Sequence, residues 1–91
     1  MPKTKVTIMN FYSESCRPCK RIPALLAEVV QASKNVVIEM IDADKQPDIV
    51  NMYGVFTLPT VVLKTDKQAI SISGWQLTKQ HLLSKINELQ A

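Results

Sequence analysis

Glycine is scarce in this 91-residue chain, which holds two, and proline supplies only five more residues that break regular structure. With no self-similar period, the sequence excludes collagen, coiled-coil and repeat architectures. Apolar residues still make up 46% and net charge is only +3, so disorder is excluded as well. Long apolar runs are missing. A membrane-spanning helix needs about 20 apolar residues in a row, and Val36-Val37-Ile38 is broken by Glu39. The basic start, Met-Pro-Lys-Thr-Lys, is followed by a short alternating segment and not by the apolar stretch of about 7–15 residues that marks a signal peptide. The expectation is a cytosolic protein with no membrane partner. Histidine occurs once, at His81, and cysteine twice. Two cysteines cannot build a disulfide framework. One Cys pair also supplies only half of a tetrahedral zinc site, with His81 far along the chain, so no metal is expected. The 11 Lys+Arg against 8 Asp+Glu are dispersed apart from Lys3, Lys5 and the trio Arg17, Lys20, Arg21. Without an aromatic-studded basic face, they do not suggest a nucleic-acid partner.

What is present reads as one domain over residues 1–91. Val6 to Tyr12 is rich in β-branched and aromatic residues and predicts a strand. A helix follows, with Ile22, Leu25, Leu26, Val29 and Val30 on one face. Extrapolated backwards, that stripe puts Cys19 on the buried face and Cys16 at the helix start, with Asn35 as the stop. Val36 to Ile41 is nearly all apolar and predicts a strand buried on both faces. Pro47, Asp48 and Gly54 fit the start and the C-terminal cap of a short helix. Thr60–Lys64 and Ala69–Ser73 predict two strands joined by a hairpin loop. Thr78 can cap a last helix whose apolar face is Leu82, Leu83, Ile86 and Leu89, with His81 solvated or half-buried on it. The order β-α-β-α-β-β-α predicts an α/β fold, a mixed four-stranded sheet with helices on both faces.

The chemistry lies in Cys16-Arg17-Pro18-Cys19. Thiols at i and i+3 on a first helical turn can close a small disulfide ring. The N–H groups and partial charge of a helix start stabilise a thiolate at Cys16. Arg17 adds a full charge, Lys20 lies nearby, and Pro18 sits where no helical N–H is needed. Cys19, deeper, keeps its proton. The asymmetry suits attack by Cys16 on a substrate disulfide, then resolution by Cys19. Inert buried cysteines are the bland alternative.

The segment Asn10-Phe11-Tyr12-Ser13-Glu14-Ser15-Cys16-Arg17-Pro18-Cys19-Lys20 resembles the strand, loop and active-site helix of the thioredoxin family. Tyr53-Gly54-Val55 and Thr57-Leu58-Pro59-Thr60 resemble its proline loop, and Gly74 the glycine closing its last strand. The resemblance implies the three-layer thioredoxin-like fold, here trimmed of the strand and helix that usually come first. It implies a cis bond between Leu58 and Pro59 and a substrate groove in which the Leu58 backbone pairs with an extended substrate; Gly74, and Trp75 beside it, are placed at that groove as well. It implies a protein-disulfide reductase with no bound cofactor, whose redox-active Cys16–Cys19 disulfide draws electrons from NADPH through a thioredoxin reductase; nothing in the sequence demands more than a monomer.

Several residues depart from the family pattern. Asn10 stands where the family has a buried aspartate that moves the proton of the resolving cysteine, and Met40 replaces a neighbouring lysine. Resolution by Cys19 should therefore be slower, or use water or another base. Ser15 replaces a tryptophan, while Trp75 either supplies the apolar contact surface or sits in the core. Pro23 comes one residue early and should kink the helix beside Cys19. Two other readings stay open: a glutathione-dependent glutaredoxin-like protein, and a non-catalytic peptide-binding module.

Overall fold

The computed structural model describes residues 3–91. Strand β1 (Val6–Tyr12) leads through a 3-10 turn (Pro18–Arg21) into helix α1 (Ile22–Gln31), which returns to strand β2 (Val36–Asp42). Helix α2 (Pro47–Tyr53) precedes strands β3 (Thr60–Lys64) and β4 (Ala69–Ser73), and a second 3-10 turn (Gly74–Gln76) leads to helix α3 (Lys79–Gln90). The sheet order is β2-β1-β3-β4. β1 runs parallel to β2 and antiparallel to β3, and β3 is antiparallel to β4. The expected α/β architecture, a mixed four-stranded sheet with helices on both faces, is what the structure shows.

Successive side chains along the central strands point to opposite faces, and both faces are covered. Val6 and Ile8 of β1 and Val61 and Leu63 of β3 pack with Ile22, Leu26, Leu82 and Ile86 of α1 and α3. Met9, Phe11 and Val62 pack on the other face with Ile41 and Val55, beneath the partly buried Ile49, Val50 and Tyr53 of α2. Local chemistry sets the ends of the elements. Gly54 closes α2 in the left-handed region at φ 64°, where a Cβ would be strained. Thr78 caps α3, its side chain accepting from the His81 N–H. The Thr65 hydroxyl oxygen accepts from the N–H groups of Lys67 and Gln68 and shapes the hairpin between β3 and β4. At the end of α3, the Gln90 side-chain amide donates to the carbonyls of Thr4 (3.0 Å) and Lys34 (2.7 Å).

Three expectations need correction. β2 is not buried on both faces. It is an edge strand, with Val37, Ile38 and Met40 at 43%, 39% and 47% exposure. A nearly continuous apolar run signals hydrophobic surface, but coverage depends on what lies over the edge strand: Val37 is on the face of α2, which is only seven residues long, and Ile38 and Met40 are on the α1 face at the margin of the sheet. Second, α1 does not reach back to the cysteines. Pro23 lacks the N–H that would continue an α-helical ladder, so the segment divides into a 3-10 turn and then α1, joined where Ile22 N–H donates to the Cys19 carbonyl. The expected kink is a change of helix type. Third, α1 stops at Gln31. Asn35, at φ 57°, turns the chain into β2 and holds the N-terminal segment by donating its side-chain amide to the Lys3 carbonyl at 2.8 Å.

Candidate active site

The sheet gathers the candidate residues at one end. β1 finishes at Tyr12 and runs into the cysteine loop. β3 begins at Thr60, which pairs with Phe11 on one side and Ser73 on the other. The segments Ser13–Cys19, Leu58–Pro59 and Gly74–Trp75 therefore leave neighbouring strands at the same end.

Cys16 and Cys19 are joined by a disulfide, with Cα atoms 5.4 Å apart. The chain folds this way locally because Ser13 accepts from Cys16 N–H at 3.2 Å, and Arg17 accepts from Lys20 N–H at 3.0 Å. The backbone N–H of Cys19 donates to Cys16 Sγ at 3.2 Å. That donor would equally stabilise a thiolate on Cys16 once the bond opens. The support comes from a tight 3-10 turn, and not from the α-helix start that the spacing suggested. Cys16 is half-buried, while Cys19 is only 4% exposed. Arg17, Pro18 and Lys20 are all exposed. Arg21 braces the turn from behind, Nη1 donating to the Leu77 carbonyl at 3.2 Å.

The Leu58–Pro59 bond is cis. Both residues are half-buried, and the loop is closed by Thr60 Oγ1 donating to the Thr57 carbonyl at 2.7 Å. One strand over, Gly74 opens the second 3-10 turn at φ 62°, and Trp75 is 84% exposed. The alternative that buried Trp75 in the core is thus overturned. The Trp75 ring borders a shallow hollow with Gln76, Thr78 and His81 at the start of α3.

Two features were not legible from sequence. Phe56, in the loop before Leu58, is 95% exposed, and no periodicity marked it. Behind Cys19 lies a cavity of about 640 Å³, lined by Asn10, Glu14, Cys19, Lys20, Pro23 and Met40 among others. Asn10 is fully buried, and its amide nitrogen donates to Met40 Sδ at 3.5 Å. The departures at Asn10 and Met40 thus touch each other, as a buried charged pair replaced at both members would. Among the described residues, no group of three His, Cys, Asp or Glu is placed to hold a metal ion, and no helix is long and apolar enough to cross a membrane.

A family model described as Thioredoxin matches residues 1–88. The chain is similar to the mitochondrial thioredoxin-2 of Schizosaccharomyces pombe, 35% identical over 86 residues, covering 92% of this chain and 65% of that protein. It is also similar to thioredoxin-1 of Caenorhabditis elegans, 32% identical over 66 residues and covering 57% of that protein. The chain thus spans less than two thirds of these relatives' length. Among solved structures, the oxidised mitochondrial thioredoxin 3 of Saccharomyces cerevisiae superposes with a TM-score of 0.80 at 32% identity, covering 94% of this chain and 80% of that one.

Proposed function

Because the chain belongs to the thioredoxin family, we propose that it is a thiol–disulfide oxidoreductase that reduces protein disulfides. The observation that carries this reading is the unequal burial of a bonded cysteine pair, Cys16 half-buried and Cys19 4% exposed. In the dithiol form Cys16 is the nucleophile. The Cys19 N–H and the neighbouring Arg17 favour its thiolate. Cys16 attacks one sulfur of a substrate disulfide, the other sulfur leaves as a thiolate, and a mixed disulfide forms. Cys19 loses its proton and attacks Cys16. The second substrate sulfur then leaves, and the Cys16–Cys19 bond is restored. The electrons stored in the dithiol move to the substrate with no bound cofactor. Leu58 offers its backbone to an extended substrate strand beside Pro59 and Gly74, and Trp75 adds apolar surface at the rim. Lys20 and Pro18 complete the exposed turn that a substrate meets. A thioredoxin reductase using NADPH would return the disulfide to the dithiol.

The test is a redox titration of the Cys16–Cys19 pair against dithiothreitol and glutathione. A two-electron transition near about −270 mV, the value typical of thioredoxin, supports a reductase. A transition near about −120 to −180 mV would make the protein an oxidant or isomerase. With no transition, and with activity unchanged on replacing both cysteines by serine, the groove would be a peptide-binding module. Turnover that requires glutathione would point to the glutaredoxin-like alternative.

A further inference from the structure

Strand β2 closes one side of the sheet, and among the described residues no further strand lies beyond it. Two hydrogen bonds show which of its backbone groups face outward. Val6 N–H donates to the Asn35 carbonyl at 3.1 Å, and Ala43 N–H donates to the Tyr12 carbonyl at 2.7 Å. Val6 is level with Val36, and Tyr12 with Asp42. In a parallel ladder a residue bonds to the two neighbours of the residue it is level with. Val6, Ile8, Asn10 and Tyr12 therefore engage residues 35, 37, 39, 41 and 43. The N–H and C=O groups of Val36, Ile38 and Met40 point the other way, to the open side. The Asp42 carbonyl follows the same alternation and accepts from Lys45 and Gln46 N–H in the turn beyond.

An open edge is a template for pairing, and proteins blunt it with Lys, Pro, a bulge or short length. β2 uses none of these. It is seven residues long, holds neither Lys nor Pro, and keeps an unbroken register with β1. Val37, Ile38 and Met40 are exposed along it, and Glu39 is the one charge between Val36 and Ile41.

The strand is also complementary to itself. Antiparallel pairing about a two-fold axis at Ile38 sets Ile38 of one copy against Ile38 of the other, and Val36 against Met40 on either side. The three outward N–H groups of each copy then meet outward C=O groups of the other. Every facing pair on the α1 side is apolar, the kind that stabilises a sheet. Glu39 falls opposite Val37. Sliding the register by two residues one way sets Glu39 against Glu39 and calls on the Asp42 carbonyl, which is already taken. Sliding it the other way carries Met40 past Val36, where β2 begins.

We propose that the open edge of β2 pairs with β2 of a second copy of this chain, joining two four-stranded sheets into one. Three residues from each copy make a small contact, so the association is weak and depends on concentration. Met40 lines the cavity behind Cys19, so the second copy covers one wall of that cavity.

The test is sedimentation equilibrium from about 10 µM to about 1 mM, the range in which a contact of this size associates, with amide hydrogen exchange read by NMR at both ends. The mass should rise towards twice that of the monomer. Exchange at Val36, Ile38 and Met40 should slow by about threefold or more at the higher concentration, and that at Val37 and Glu39 should change little, because those amides are bonded to β1 in both states. Ile38→Lys sets like charges against each other at the axis and should weaken association about tenfold or more. Met52→Lys puts the same charge on α2, at a position 74% exposed, and should leave association unmoved. A monomer at about 1 mM with fast-exchanging β2 amides overturns the proposal and leaves the edge to a strand of another protein. Slow exchange at those amides at every dilution also overturns it, because a segment of the same chain then covers the edge. So does a dimer whose protection falls outside β2. Exchange is read on the wild type, so the test stands even if Ile38→Lys does not fold.

Discussion

Along β1, Val6 and Ile8 face α1 and α3, whereas Met9 and Phe11 face α2, and the two faces are built to different depths. Among the described residues, the first gathers twelve buried apolar residues, and the second five. α1 and α3 each contribute fully buried side chains, such as Leu26 and Leu82, while α2 buries none completely. The disulfide is rooted on the deep face, since the turn that carries Cys19 runs on into Ile22 and Leu26 of that core. The Leu58–Pro59 loop enters from the shallow face, behind Val55. The reacting sulfurs are thus held by the part of the core that buries most. The Leu58–Pro59 loop hangs from the part that buries least, where side chains can vary at small cost to stability.

That contrast can be broken most directly by truncation. Leu26→Ala, in the deep core, should cost roughly 2–5 kcal/mol, while Val50→Ala, half-buried on α2, should cost about 1 kcal/mol. Urea denaturation of both proteins measures the difference, and equal losses would show the faces to be equivalent. The deep face also holds Asn10, which cannot act as a base. Asn10→Asp should speed resolution of a trapped mixed disulfide by about 10²-fold, the low end of what a positioned base supplies. An unchanged rate would mean that Cys19 is deprotonated without help from this position. At the exposed rim, Trp75→Ala should lower kcat/KM for protein disulfides about tenfold, as loss of an aromatic contact does, and leave small disulfides unaffected. Equal loss on both substrates would take Trp75 out of the contact surface. The smallest effect is expected at Thr78→Ala, which removes the cap of α3 and should cost about 1 kcal/mol, read as a lowered Tm.

Much of this was legible from local sequence. The β-branched runs and the Thr78 and Gly54 caps placed β1, β3, β4, α2 and α3, because propensity and capping act over a few residues. The 3.6-residue stripe found Ile22, Leu26 and Val29, all fully buried. Its backward extension put Cys19 on the buried face, where it is 4% exposed, but the α-helix did not extend with it, since spacing registers side chains but not the missing N–H of Pro23. The burial of β2 was misread because the depth of a strand depends on what covers it, and that is a property of the assembled sheet. The spacing of Cys16 and Cys19 allowed a disulfide ring, and the motifs around it made the pair the expected site. The cavity behind Cys19 was not legible, because Asn10, Cys19 and Met40 meet around it only in the assembled fold.

One amide links distant parts of the chain. Gln90 holds the carbonyls of Thr4 and Lys34 together at the end of the sheet where β1 begins, opposite the end where Tyr12 leads to the cysteines. In topological terms the fold is nearly a closed ring fastened by one side chain. A short linker from Gln90 back to Thr4 would complete that ring. New ends could then be opened in the exposed hairpin turn at Asp66–Lys67, and a label or fusion joined there or at Gln90 would emerge on the side away from the redox pair.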